Sequence, residues 1–420
     1  MNITSILIKQ LATAKTTILK EANSVSQSIT IKEITIRNFK SLFDVSFETG
    51  NVNVFIGANG SGKTSVLEAI GVLSAAMTDR VNNNSLQRKG VRLSTSLLYK
   101  SKFADIVKES PTVEFSMKWG RGSHEYQYST HLTVPTDDDS WKYHTESASK
   151  DGIIVFGRSN RSKSHMNNKV GYYSLSDKLA TEEYLTAGRY VAEYGLFQPD
   201  TLTLRGNVPD PTQVTPVGLN GGRLAEAIRD LFRTIDDEQM FGSMYMDEIL
   251  ELIEWASDFR VGKPKKSNLN PGVPSTSQII EFRDRFLKDS ALFTGYDASE
   301  GALYVLFMLC LAMHPSTPMM FGIDSFDHAM NPRLAKRLTQ VFDRLVIENG
   351  KTVFMTTHNP LVLDGLDLTD DRIRLFATER DDLGHVAVNR ILVSDELIKT
   401  GQPLSRLWIN GYLGGVPELI

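Results

Sequence analysis

The chain is short of cysteine: 420 residues carry one, Cys310. A lone thiol closes no intrachain disulfide and builds no cysteine cluster for a metal, which points to a reducing, cytoplasmic setting. Histidine is sparse as well, with 8 dispersed along the chain, so no histidine-based metal site is expected. Long apolar runs are missing. The longest, Ala302–Met313, falls short of the roughly 20 residues that a membrane-spanning helix needs, so no membrane contact is expected. Neither sign of charge dominates, with 46 Lys and Arg against 50 Asp and Glu and a formal net charge of -4. Attraction to nucleic acid must therefore come from local patches. No heptad or internal repeat is found, which excludes a long coiled coil or a solenoid. The first residues lack the apolar centre of a secretory signal. Instead Ile6, Leu7, Leu11, Ala14, Ile18 and Leu19 recur at helical spacing and predict an amphipathic N-terminal helix within 1–28.

The sequence otherwise has an ordinary globular balance, 41% hydrophobic and 23% charged. Residues 29–37 and 43–56 read as strands. A helix after residue 62 carries Val66, Leu67, Ile70, Leu73 and Met77 on one face. Between 80 and 290 the pattern is mixed. Strand-like pieces at 112–118, 125–134 and 152–157 precede a loop at 199–222 and helices expected at 223–235, 244–257 and 278–290. From 299 a helix, the apolar strand 319–324, a helix at 332–348 and the apolar strand 352–357 predict a parallel sheet covered on both faces.

Residues Gly57-Ala58-Asn59-Gly60-Ser61-Gly62-Lys63-Thr64 match the phosphate-binding pattern G-x-x-x-x-G-K-[ST] between a strand and a helix. Its glycines let backbone N–H groups wrap a phosphate, at the positive end of the helix that follows. Lys63 would reach the β- and γ-phosphates, and the Thr64 hydroxyl would ligate Mg²⁺. A second metal carboxylate is needed at the end of a buried strand, and Asp324 is the candidate. ATP and Mg²⁺ are the expected cofactors.

Five segments in this order resemble ABC-type ATPases of the RecF, SMC and OLD group. They are Arg37-Asn38-Phe39-Lys40-Ser41-Leu42, the P-loop through Ser65, Ala298-Ser299-Glu300-Gly301, the Asp324 strand with Asn331-Pro332, and Thr356-Thr357-His358-Asn359-Pro360. The resemblance covers 29–79 and 295–365. It implies an α/β fold, a P-loop ATPase head split by an α+β insertion. The expected parts are an N-terminal extension (1–28), an N-lobe (29–80), an insertion (81–290) and a C-lobe (291–420). It also implies that Phe39, Lys40 and Ser41 lie beside the nucleotide and that Ser299 and Gly301 contact ATP held by a second copy. His358 would sense the γ-phosphate, and Gln87 is the candidate for the glutamine of the γ-phosphate-sensing loop at the metal.

One position departs from the group. Where its members carry Asp-Glu, this chain has Asp324-Ser325, followed by Phe326-Asp327. Serine is no general base near neutral pH without help. Asp327 takes over as base, or hydrolysis is slow and leans on His358, or ATP is bound and scarcely hydrolysed. Slow or conditional hydrolysis is the reading adopted.

Within the insertion, Arg158, Arg161, Lys163 and Lys169 precede Tyr172 and Tyr173. Basic and aromatic residues so interleaved can grip phosphates and stack bases, but a solvated basic loop is the preferred reading. Lys263, Lys265 and Lys266 form a smaller patch. The stretch after the histidine loop is too short for the TOPRIM nuclease domain of OLD proteins. The architecture is similar to the nuclease-less ATPase subunits of the PARIS and Septu antiphage systems. This implies a homodimer or larger homo-oligomer, a separate effector (nuclease or toxin), and a nucleic-acid or phage-protein trigger. The alternatives are a RecF-like DNA-repair ATPase and an ATP-dependent scaffold.

Overall fold

The computed structural model describes residues 29–416, apart from 79, 137, 160–167, 176–181, 235–236, 238, 266–268, 271, 274–276, 289–291 and 393–400. The expected N-terminal helix, and Arg161, Lys163 and Lys266, lie outside the described residues.

Two sheets of six strands face the P-loop helix Lys63–Thr78. The first is antiparallel: β1 (Ile29–Phe39), β2 (Leu42–Glu48), β4 (Val113–Arg121), β5 (His124–Thr133), β6 (Lys142–Lys150) and β7 (Ile153–Ser159), in the order β2-β1-β4-β5-β6-β7. Its strands alternate inward apolar and outward polar residues, as a half-covered sheet requires. In β1, Ile34 and Ile36 point inward, and a register shift between Ile31 and Glu33 keeps Ile31 buried too. The inward face packs Trp119, Tyr126 and Tyr128 into one cluster with Ile70, Leu73 and Met77 of the helix. The hydroxyls of Tyr128 and Tyr143 donate to the carbonyl of Ala76, at 3.2 and 2.8 Å.

The second sheet runs β17-β16-β3-β15-β14-β8. It comprises β3 (Val52–Ile56), β8 (Leu196–Phe197), β14 (Met320–Ile323), β15 (Thr352–Thr356), β16 (Ile373–Arg380) and β17 (Val386–Ile391). All its pairings are parallel except that of β16 with β17. Each of β3, β14 and β15 is buried along its whole length. Burial on both faces is why these strands read as unbroken apolar runs. Phe55 joins the cluster of the P-loop helix, whereas Val52, Val54 and Ile56 join the helices Glu300–Met313 and Pro332–Glu348 on the other face. The expected α/β class is the observed one.

A smaller antiparallel sheet, β11 (Ala256–Gly262), β12 (Ile279–Asp284) and β13 (Leu292–Thr294), packs with the helix Leu224–Thr234 and the hairpin β9 (Met240–Phe241) and β10 (Met244–Tyr245) against Glu300–Met313. Two expectations change here. The helix expected at 278–290 contains strand β12, whose Ile279, Ile280, Glu281 and Phe282 are all buried between β11 and β13. The helix expected at 244–257 shrinks to Met246–Leu252 before the chain turns into β11.

The described part of 81–290 shares sheets and core with the segments on either side of it. Strands β4–β7 extend the sheet begun by β1 and β2, β8 completes the parallel sheet, and β11–β13 share the core of the helix Glu300–Met313. Backbone pairing with distant strands ties this stretch to both lobes.

Candidate nucleotide-binding site

Strand β3 ends at Ile56 and the chain turns through Gly57–Gly62 into the helix at Lys63. Gly57 has φ 152, and a Cβ there would sit 2.4 Å from the carbonyl oxygen of Thr378. Gly62 has φ 100, and its Cβ would press on Val386 at 2.9 Å. Only glycine fits either place. Ser61 pins the loop to β16 through a 2.7 Å hydrogen bond between its hydroxyl and that of Thr378. Asn59 and Gly60 are exposed at the tip, and a Cβ on Gly60 would meet nothing within 4 Å. The loop is thus an open nest of the kind that holds an anion.

Lys63 is buried and donates to the carbonyls of Gly57 and Ala58, at 2.7 and 2.9 Å. Burial lowers its pKa to about 8, against the pull of Asp324 and Asp327. Across the loop, Asp324 follows β14. Its oxygens accept from the Thr64 hydroxyl at 3.0 and 3.2 Å, the Thr356 hydroxyl at 2.6 Å and the Gln198 amide at 3.1 Å. Thr64 and Asp324 therefore meet as expected. A hydroxyl and a carboxylate are hard oxygen donors of the kind Mg²⁺ takes.

Ser325 adopts the left-handed region, φ 61, and its N–H donates to the Thr356 hydroxyl at 2.8 Å. This turn presents Asp327, whose carboxylate accepts the backbone N–H of His358 at 3.1 Å. Burial and the Lys63 ammonium keep the His358 imidazole below its usual pKa, outweighing Asp327 and Asp324. Lys63, Asp324, Asp327 and His358 thus act on one another electrostatically at one end of the loop.

The glutamine that donates to Asp324 is Gln198, whereas Gln87 lies exposed on the short helix Asn83–Arg88. Gln198 follows the two-residue strand β8, which the parallel pairing with β14 sets beside Asp324. The signal in the sequence is only a pair of apolar residues before Gln-Pro.

At the other end of the loop, Asn38 and Lys40 both have positive φ, 58 and 51. This hairpin aims Lys40 at Glu68 of the P-loop helix, 2.5 Å away, and Arg92 binds the same carboxylate at 2.7 Å. Glu68 is fully buried. Its burial pushes the carboxyl up, but the two cations outweigh that and leave it below the ordinary glutamate value. Lys40, Ser41 and Ser65 line a cavity of about 680 Å³ with Arg92 and Arg380. Phe39, expected at the nucleotide, is wholly buried against Tyr99 and Phe115 and holds the hairpin from inside.

Ser299 caps the helix Glu300–Met313 by accepting the Ala302 N–H, and it also accepts the indole N–H of Trp255 at 3.0 Å. Ser299 and Gly301 line a cavity of about 590 Å³ that contains Trp255, Arg333 and Gln340 and none of the P-loop residues. They are on a face of their own, connected to the Asp324 side by Glu300, which meets Thr201 and lies 3.8 Å from His328.

The basic stretch near 158 changes meaning. The Arg158 guanidinium lies 2.5 Å from the buried Glu146 carboxylate, donates to the Val170 carbonyl and covers the Tyr143 ring. Lys169 pairs with Asp138 at 2.6 Å, and Tyr172 is buried on Phe156. These groups join the chain to itself.

Residues 30–156 match a family model described as "AAA ATPase domain", and residues 214–364 match one described as "AAA domain, putative AbiEii toxin, Type IV TA system". No curated protein matches the chain. Among solved structures, the Smc head bound to the C-winged helix domain of ScpA is 14% identical, with TM-score 0.50, over 86% of this chain and 98% of that one. The Smc head with an extended coiled coil bound to the C-terminal domain of ScpA, from Pyrococcus furiosus, is 12% identical over 89% and 98%, with TM-score 0.49. The SMC head domain from Thermotoga maritima is 12% identical over 86% and 99%, with TM-score 0.44. Two stretches of the chain are thus similar to AAA-type ATPase domains, and its α/β fold is similar to that of an SMC head.

Proposed function

We propose that this AAA-type ATPase chain is an ATP-binding switch of an antiphage defence system, with slow or conditional hydrolysis. ATP closes it head-to-tail into a homodimer or larger homo-oligomer. That assembly controls a separate effector, a nuclease or toxin, in the cytoplasm, on a nucleic-acid or phage-protein trigger.

One observation carries the nucleotide reading. Asp324 is held by the P-loop threonine Thr64, by Thr356 and by Gln198, while the next residue is Ser325. Thr64 and Asp324 would hold Mg²⁺, which when bound neutralises charge between the β- and γ-phosphates. Lys63 and the P-loop N–H groups would bind the phosphates. Ser325 supplies no carboxylate, so water activation falls to Asp327 and His358. The defence role is supported by the toxin–antitoxin wording of the second family model, and the trans role of Ser299 and Gly301 by their separate, exposed face. DNA binding through the basic stretch loses Arg158, which is engaged internally.

Steady-state ATP hydrolysis tests this, with Lys63→Ala as control, beside sedimentation with and without ATP. Weak turnover that Lys63→Ala abolishes, together with ATP-dependent association, is expected. Rapid turnover by a monomer would overturn the switch reading.

A further inference from the structure

A cavity of about 620 Å³ opens between the C-terminal half of the helix Pro332–Glu348 and the segment 364–373, away from the P-loop and Asp324. Asp343 lines it. This side chain is 3% exposed, and neither carboxylate oxygen has a hydrogen-bond partner. A buried polar group left so is rare and calls for an explanation. Burial alone holds its carboxyl well above the usual range.

The surroundings say what would satisfy it. Ile347, Leu366 and Ile373 give the cavity apolar wall, and Glu348 and Asp367 stand exposed on its rim. The two rim arginines are already engaged, Arg344 with Glu248 at 3.2 Å and Arg372 with Asp370 at 2.6 Å. Asp364 is occupied too, accepting from the N–H and hydroxyl of Ser405. Unneutralised negative charge therefore rims an open groove of mixed polar and apolar wall, with the Asp343 carboxyl buried in that wall. A metal ion does not fit, because among the described residues no group of three His, Cys, Asp or Glu stands at metal-ligand spacing. A long aliphatic side chain ending in a cation does: its stem lies on apolar wall and its head meets a carboxylate.

We propose that this cavity receives an arginine or lysine side chain of a partner protein, whose cationic head pairs with Asp343. The inference does not depend on the nucleotide reading. The incoming cation meets the Asp343 carboxylate and satisfies oxygens that have no hydrogen-bond partner in the folded chain.

The full chain is titrated calorimetrically with a hexa-arginine peptide near neutral pH. Expected are saturable binding and at least tenfold weaker binding in Asp343→Asn. The variant leaves the charged rim intact, so adsorption to acidic surface would be unchanged by it. Ile347→Trp, which crowds the groove and keeps the carboxyl, is the second variant and should also block the peptide. Absence of binding, or binding by either variant as tight as that of the unaltered chain, would overturn the proposal. Spermidine binding as tightly as the peptide would overturn it as well, in favour of a free polyamine.

Discussion

Glu68 and Asp324 serve the same P-loop helix and are compensated in opposite ways. Glu68 is fully buried and holds two cations, Lys40 and Arg92. Asp324 is half-buried, and its hydrogen-bond donors, Thr64, Thr356 and Gln198, are all neutral. Lys63 is near enough to feel Asp324 electrostatically but spends its protons on the carbonyls of Gly57 and Ala58. A carboxylate saturated with cations fastens structure. One that is oriented by hydroxyls and an amide, with its charge uncancelled, is prepared for a cation from outside. The comparison separates the fixed end of the site, at the β1–β2 hairpin, from the working end.

The comparison breaks most sharply at Glu68. Glu68→Gln strands the Lys40 ammonium, and the chain should lose about 3 kcal/mol in denaturant unfolding, the low end for a broken buried pair because Arg92 can turn to water. Asp324→Asn should leave the empty chain as stable as before and weaken Mg²⁺-dependent ATP binding about 100-fold, or about 2.7 kcal/mol. Thermal shifts with and without Mg²⁺ would show it, and an equal loss without Mg²⁺ would contradict the metal role. Asp327→Asn should lower kcat about tenfold, or about 1.4 kcal/mol in the barrier, with nucleotide affinity retained. Unchanged kcat would leave His358 alone at the water.

Asp343 sharpens the contrast as a third case, a buried carboxyl with no cation at all. Its folded pKa is raised by burial, so the folded chain holds the proton more tightly than the unfolded one. Its contribution to stability is full below about pH 4, the unfolded value, and is lost as pH rises. Equilibrium unfolding across pH should show that decline, smallest of these effects, and Asp343→Asn should flatten it. The Glu348, Asp364, Asp367 and Asp370 carboxyls around it remain in the variant and set the background slope.

Contiguity decided what the sequence revealed. The P-loop is one unbroken run, and each glycine in it answers a local geometric demand. Asp324 and His358 were legible because each follows a strand buried on both faces, which leaves an apolar run ending at the functional residue. Gln198 had no such flag, since two residues of strand carry no periodicity and its place depends on pairing with β14, more than a hundred residues away. Glu68 likewise reads as an ordinary helix position until the hairpin at Lys40 closes over it. Arg158 read as a solvated cation because Glu146, its partner, lies on the neighbouring strand. Strand β12 was mistaken for a helix because both of its faces are covered. The parallel sheet and its helices followed from local patterns, whereas the antiparallel sheet joins β1 to β4 across a long stretch of chain.

The bond between Trp255 and Ser299 has an optical consequence. Of the four tryptophans, Trp119, Trp141 and Trp408 are buried, and Trp255 alone is half-exposed. A collisional quencher such as acrylamide therefore reads one indole, and that indole touches Ser299. If two copies pair on this face as proposed, docking would shield Trp255 and blue-shift its emission, and an unlabelled chain would report it.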